Sequence, residues 1–336
     1  MKTVFFDVQP YEEEFLKKAV KDKFETVFIN SPIDENYVVD EKINDAEIIS
    51  VFITSTLSEN VLKKFPKLKF ILTRSVGFSH IDMKYCKEHE IYAFNTPHYG
   101  DYTVAEYTFA LLLYTIRKIK KAQNDIQNDN IIMNDYIGVE LFNKTIGVIG
   151  AGSIGAKVLD IAKGFKMNTL AYDLFQNGDY NYCSLDELIQ KSDIISINSP
   201  LTTQTYHLIN KDTIAKMKDG VIIVNVARGE IIDTQALYEA LLSKKIAYAA
   251  LDVIECEEIL CTENQKCKDL QNIKDFCLEK FYINQKLLKL PNVTITPHMA
   301  YNTKEAIERI LFMTEENLMS CLNFNPKTGA KNVILL

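Results

Sequence analysis

The chain predicts two open α/β sheets in series, each doubly wound, and three observations carry that reading. Strand-like and helix-like runs alternate nearly throughout the 336 residues, a pattern that builds right-handed βαβ units around a parallel sheet. The short apolar runs fall into two sets, 3–8, 26–30, 47–53, 69–74 and 91–94, then 145–149, 168–172, 194–198, 221–226, 247–252 and 293–296. A glycine-rich turn, Gly150-Ala151-Gly152-Ser153-Ile154-Gly155, opens the second set. A chain of this length is expected to hold two domains.

Between the strands, 103–122 reads as one long helix lying between the sheets, and 302–322 as a last helix. If that last helix returns to the first domain, the domains are joined by two crossings. The segment 258–290 reads as a solvent-facing insertion. Its Cys261, Cys267 and Cys277 lack the tight C-x-x-C pairs of a zinc site, so no metal is expected.

Composition narrows the classes. At 47% apolar and 25% charged, with a net charge of -7, this is an ordinary globular protein. Its lysines are scattered among acids, so no nucleic-acid partner is expected. The N-terminus turns acidic at Asp7, too early for a signal peptide. No run approaches the length that spans a membrane. Seven cysteines, odd in number and dispersed, read as reduced thiols of a cytoplasmic protein.

The glycine turn carries the first chemistry. The run Thr145–Ile149 reaches Gly150, and a helical pattern follows Gly155. Gly150 permits the turn, Gly152 lets backbone approach a pyrophosphate, and Gly155 lets the helix pack against the strand. The helix start offers N–H groups to phosphate. The next apolar run ends in Asp173, placed to accept hydrogen bonds from a ribose diol and to repel a 2′-phosphate, which favours NAD over NADP.

Three later strands end in chemically useful side chains. Val221–Val226 leads to Ala227-Arg228-Gly229, and an Arg at a strand's carboxyl end faces the ligand crevice with a fork that matches a carboxylate. Val293–Thr296 leads to Pro297-His298, and of the histidines only His298 lies at a strand end in the second domain, as a proton donor near neutral pH. Ala249–Asp252 leads to an acidic cluster, Glu255, Glu257 and Glu258. One of these beside His298 would stabilise its charged form and fix its tautomer, and the residues alone leave all three open.

The set G-A-G-S-I-G, A-Y-D, N-V-A-R-G, L-D-V-x-x-x-E and T-P-H resembles the D-2-hydroxyacid dehydrogenase family over essentially the whole chain. The loop Thr73-Arg74-Ser75-Val76-Gly77-Phe78-Ser79-His80-Ile81-Asp82 and the stretch Thr296–Tyr301 are most similar to the D-lactate branch, including the vancomycin-resistance type. That resemblance implies a flavodoxin-like substrate domain, 1–100 plus 300–336, and a Rossmann NAD-binding domain, 101–299, with an interdomain active-site cleft. It implies Arg228 as the carboxylate grip, His298 as acid/base, and Glu257 as its partner. Ser153, Ile154, Pro200 and Ala227 would line the cofactor together with the glycines and Arg228, and Asp252 would hold the nicotinamide carboxamide. Val76 and Gly77 would offer N–H groups to the substrate, beside Tyr99 and Tyr301. A homodimer is implied as well.

The activity so implied is NAD-dependent reduction of pyruvate to D-lactate. The alternatives are larger keto acids, corresponding to 2-hydroxyglutarate or branched-chain 2-hydroxyacids, and an NAD-sensing corepressor-like binding protein. The chain has Pro97-His98-Tyr99-Gly100-Asp101 where the lactate branch reads P-x-Y-S-P, which leaves side-chain selectivity open.

Overall fold

A computed structural model describes residues 1–20, 23–257, 275–327 and 329–334. The chain divides into two compact units, Met1–Tyr99 with Thr303–Leu336, and Gly100–Asn302.

In the first unit the strands are β1 (Lys2–Phe5), β2 (Glu25–Phe28), β3 (Ile48–Val51), β4 (Phe70–Thr73) and β5 (Tyr92–Phe94), ordered β2-β1-β3-β4-β5 and all parallel. Helices α1 (Pro10–Ala19), α2 (Glu59–Leu62) and α3 (Met83–Glu88) lie between them. The two faces of the sheet are buried separately. Val4, Ile49 and Ile71 pack with Leu57, Val61 and Ala93 on one side. Phe5, Phe70, Leu72 and Phe94 pack with Leu311 and Leu318 of the C-terminal helix on the other. Burial on both faces is why these strands read as continuous apolar runs rather than alternating ones.

Just past β4, Arg74 is fully buried. It donates from Nη1 to Ser50 Oγ at 3.0 Å and from Nη2 to the carbonyls of Phe6 and Asp7 at 2.7 and 2.9 Å. It ties the carboxyl ends of β1, β3 and β4 together.

The second unit starts with α4 (Asp101–Ile116) and α5 (Ile119–Gln127). Its sheet is β6 (Thr145–Ile149), β7 (Asn168–Tyr172), β8 (Ile194–Ile197), β9 (Val221–Asn225), β10 (Ile246–Leu251) and β11 (Val293–Ile295), in the order β11-β10-β9-β8-β6-β7 and all parallel. The connecting helices are α6 (Ser153–Gly164), α7 (Leu185–Lys191), α8 (Lys211–Lys216), α9 (Thr234–Leu242) and α10 (Asp275–Leu287). The strand order reverses direction between β6 and β8, the topological switch point at which open α/β sheets bind ligands. The last helix is α11 (Lys304–Leu322), in the first unit.

Three expectations are corrected. The long helix over 103–122 is two helices, broken at Lys118, which adopts left-handed φ 54°. The break is tertiary in origin, because the Ile116 carbonyl accepts from Val139 N instead of continuing the helix. The helix α4 also belongs to the second unit, where Phe109 stacks on Phe165 and Val104, Leu111 and Leu112 join Val158 and Leu159 in one core.

The second correction concerns the segment read as a solvent-facing insertion. Its described portion, α10, has Asn284 and Leu287 fully buried and Leu287 in the hydrophobic core. The third concerns the thiols. Cys256 and Cys277 form a disulfide with Cα atoms 5.7 Å apart, so they are not reduced. Cys261 and Cys267 lie outside the described residues.

Cys86, Cys183 and Cys321 are free. Burial pushes the Cys86 thiol up to about 11 and that of Cys321 to about 12, leaving almost no thiolate at neutral pH. Native protein treated with iodoacetamide at pH 7.5 should therefore leave both unmodified while denatured protein reacts fully. Mass mapping of either residue as alkylated in the native state would contradict the burial.

Candidate active site

The carboxyl ends of β6, β9, β10 and β11 carry the chemistry of the second unit. At β6 the glycines divide by what surrounds them. Gly150 has φ +89°, and a Cβ there would lie 2.5 Å from Ser199 N across the switch point. A Cβ on Gly155 would collide with the Gly150 carbonyl, so this glycine sets the approach of α6 to the strand. Gly152 is different: a Cβ there meets nothing within 4 Å. Nothing in the fold itself calls for glycine at 152, and the open space is what a ligand's phosphates would fill. Gly152 is also the N-cap of α6 and gives its first-turn N–H groups no side-chain cap, so those donors are left for an anion.

Asp173 follows β7 and accepts from Phe175 N at 2.9 Å, which orients its carboxylate at the strand tip. Pro200 is exposed after β8, its carbonyl accepting from Thr205 Oγ1 at 2.7 Å. These residues fit a dinucleotide: a phosphate-sized space over uncapped amides, with an acid one strand away.

At β9 the side chain of Asn225 shapes the turn. Its Nδ2 donates to the Arg228 carbonyl at 2.8 Å and its Oδ1 accepts from Ala227 N at 3.0 Å. Arg228 is half-buried, with Nη1 donating to the Ala227 carbonyl at 2.7 Å. Gly229 follows it because a Cβ there would run into the Ile254 carbonyl and the Glu255 nitrogen. The Arg-Gly pair is thus a half-buried cation followed by a gap through which the next strand's loop passes.

At β10 and β11 two loops are locked together. Buried Asp252 accepts from Thr296 Oγ1 at 2.6 Å, Met299 N at 3.0 Å and Ala300 N at 2.8 Å, and its carbonyl accepts from His298 N at 2.9 Å. This carboxylate shapes the 296–300 turn, a role the sequence did not suggest for it. His298 sits in left-handed φ 51°, a conformation a non-glycine residue keeps only where neighbours over-determine it. Its Nδ1 lies 2.6 Å from Glu257 Oε1. An ionised carboxylate can only accept, so in this contact Nδ1 is the donor.

Of the three candidate acids, Glu257 reaches His298. Glu255 does not: it is fully buried and accepts from His207 Nε2 at 2.8 Å and Thr234 N at 2.9 Å, with Lys280 Nζ at 2.8 Å. Glu258 lies outside the described residues. Sequence reading missed this second cluster, because its partners sit 21–48 positions away from Glu255 on separate elements.

In the first unit, the loop after β4 is held by its carbonyls. Ser75 Oγ donates to the Gly77 carbonyl at 2.7 Å and Asn95 Nδ2 to that of Val76 at 2.9 Å. Tyr99 is buried, its carbonyl accepting from Arg309 Nε at 2.7 Å. Tyr301, in the second unit, packs beside the core containing Ala300.

Residues 109–300 match the model of the D-isomer specific 2-hydroxyacid dehydrogenase NAD binding domain. The chain belongs to that family. An aromatic 2-oxoacid reductase of Clostridium sporogenes is 41% identical over 291 residues, 84% of each chain. A D-specific alpha-keto acid dehydrogenase of Enterococcus faecium is 35% identical over 301 residues, 88% of each. A solved D-lactate dehydrogenase of Aquifex aeolicus, complexed with NAD and lactic acid, superposes with a TM-score of 0.84 at 36% identity, covering 96% of this chain and 95% of that one. The cofactor of this dehydrogenase is NAD, and its second unit is the NAD-binding domain.

Gly152→Ala should keep its melting temperature within about 2 °C yet weaken NADH binding at least about tenfold, whereas Gly155→Ala should destabilise the fold by roughly 2–4 kcal/mol. Equal melting losses for both would show that the space at Gly152 is structural. Asp173→Ala should raise the NADPH/NADH ratio of kcat/KM, measured side by side, and an unchanged ratio would remove Asp173 from the ribose.

Proposed function

We propose that this dehydrogenase is a D-lactate dehydrogenase, reducing pyruvate to D-lactate. The observation that carries the reading is the 2.6 Å contact between His298 Nδ1 and Glu257 Oε1, with Arg228 at the end of β9, two strands from β11. The lactate-type loop at 73–82 and the likeness to a lactate-complexed structure support the choice of substrate.

In this mechanism Arg228 grips the keto acid's carboxylate with its planar fork, which fixes the carbonyl in one orientation. Backbone N–H groups of Val76 and Gly77 would receive the same carboxylate, and Tyr99 and Tyr301 would pack against the substrate. Bound NADH supplies the hydride. His298, as imidazolium, gives its Nε2 proton to the carbonyl oxygen, and Glu257 stabilises the charged ring beforehand and keeps the tautomer fixed afterwards. Glu257 Oε2 is buried without a hydrogen-bond partner among the described residues, and such desolvation strengthens the attraction between the two charges. Asp252 would add a contact to the nicotinamide carboxamide. A homodimer, on the family resemblance, and a cytoplasmic location, on the odd number and scatter of the cysteines, belong to the same proposal.

A second reading takes a bulkier, aromatic keto acid. It is favoured by the aromatic 2-oxoacid reductase relative at 41% identity and by Val76 and Phe78, which stand 44% and 39% exposed on the loop after β4. A panel of pyruvate, phenylpyruvate, 4-methyl-2-oxopentanoate and 2-oxoglutarate, read by NADH oxidation, separates the two. Highest kcat/KM for pyruvate, with D-lactate formed, is the expected result, and highest kcat/KM for phenylpyruvate gives the second reading. Arg228→Lys should lower kcat/KM on the best substrate by roughly 30-fold or more, through loss of the bidentate fork, with NADH affinity within about twofold. A loss under threefold would take Arg228 out of the carboxylate site.

A further inference from the structure

The helix α10 approaches the loop after β10 with one face. Cys277, Lys280 and Asn284 are spaced by three and four residues, so they stack along one side of the helix. All three reach two consecutive residues of that loop. Cys277 is disulfide-bonded to Cys256. Lys280 Nζ lies 2.8 Å from Glu255 Oε2, and Asn284 Nδ2 donates to the Glu255 carbonyl at 2.9 Å. The residue that follows is Glu257, whose carboxylate meets His298.

These contacts are made away from solvent. Glu255 and Asn284 are fully buried and Lys280 is 9% exposed. Burial by itself would push the Glu255 carboxyl up, yet hydrogen bonds from Lys280, Thr234 and His207 hold it below the ordinary carboxylate range. Around this carboxylate stand Lys280 from α10, His207 from the loop after β8, and Thr234 at the start of α9, and Asp233 lies 3.9 Å from Lys280. Cys256, between the two glutamates, sits in left-handed φ 52°, which needs such restraint to persist.

We propose that α10 is a clamp for the acid/base pair: its Cys277–Lys280–Asn284 face holds residues 255 and 256 so that Glu257 stays within hydrogen-bond reach of His298. Lys280 and Asn284 are positioning residues. They act through the backbone of 255–257 and have no contact with the imidazole among the described residues. The clamp rests on the dyad reading given above, and it gives the segment after β10 a role in proton transfer. A carboxylate on a loop with one free end samples many positions. Each position out of reach leaves the imidazolium without its counter-charge, so the average contact depends on the anchor.

The test compares Lys280→Met, Asn284→Leu and Cys277→Ser with Glu257→Gln as reference and with Tyr282→Ala, on the exposed side of α10, as control. Two quantities are read: the basic limb of the kcat/KM profile for keto-acid reduction, and the titration of the His298 ring by NMR in the absence of substrate. Loss of the carboxylate's support disfavours imidazolium, so both should move to lower pH, by roughly one unit in Glu257→Gln and by about half a unit in the clamp variants. Tyr282→Ala should leave both in place. Asn284→Leu and Cys277→Ser keep the test open if Lys280→Met does not fold. If the clamp variants lose melting temperature while limb and ring titration stay where they are, and Glu257→Gln still shifts, α10 is only structural and the proposal is overturned. If Glu257→Gln shifts neither, the dyad reading fails and takes the clamp with it.

Discussion

The site depends on one close backbone passage. Strands β9, β10 and β11 run parallel and in register, with Asn225 opposite Leu251 and Leu251 opposite Ile295. Their carboxyl ends therefore open side by side. The loop leaving β10 then crosses directly over Gly229, where a Cβ would run into Ile254 and Glu255. A side chain at 229 would lift residues 254–257 off the edge and carry Glu257 away from His298. The glycine after Arg228 thus matters less for its own turn than for the strand beside it, and Arg228, Glu257 and His298 share an edge because of it.

Polar groups then fix the two loops against each other. Asp252 draws three donors from 296–300 onto one carboxylate, and Glu255 draws donors from α9, α10 and the loop after β8 onto another. A buried carboxylate is costly unless its oxygens are satisfied, and removing any one donor leaves that cost exposed. Such networks specify a geometry more narrowly than a hydrophobic cluster does, since each oxygen accepts from only a few directions. The left-handed backbone at Cys256 and His298 shows the same restraint: the residue before Glu257 and the histidine that Glu257 contacts are both held in conformations that a slack loop would abandon.

Much of the fold was legible in the sequence for a physical reason. Strands of a doubly wound sheet are buried on both faces, so each reads as an apolar run, and each of the expected runs contains an observed strand core such as Ile48–Val51 within 47–53. The break at Lys118 was not legible, because the partner that ends α4 is Val139, distant in sequence. Within the candidate site, Arg228 and His298 could be read as polar groups at strand ends, whereas the acids at 255, 257 and 258 looked equivalent from the residues alone and only the family spacing selected Glu257. What separates Glu255 from Glu257 is the company each keeps. His207 lies in a stretch that reads as an ordinary loop, and Lys280 in one that read as a solvent-facing insertion. The sequence carries no local mark that the two converge on one oxygen pair.

In the proposed mechanism the two glutamates divide labour that would conflict in a single acid. A carboxylate that stabilises an imidazolium must stay charged, near the ring, and free of other cations that would compete for it. A carboxylate that anchors a loop needs those cations, and Glu255 has Lys280 on it at 2.8 Å. Were Lys280 to reach Glu257 instead, its charge would neutralise the field that favours protonated His298, and the proton donor would be weakened by the same interaction that held it in place. Separating the two by one residue, with Cys256 tied to α10 between them, keeps the anchoring charge pair buried on one side and leaves the other carboxylate, among the described residues, to the imidazole.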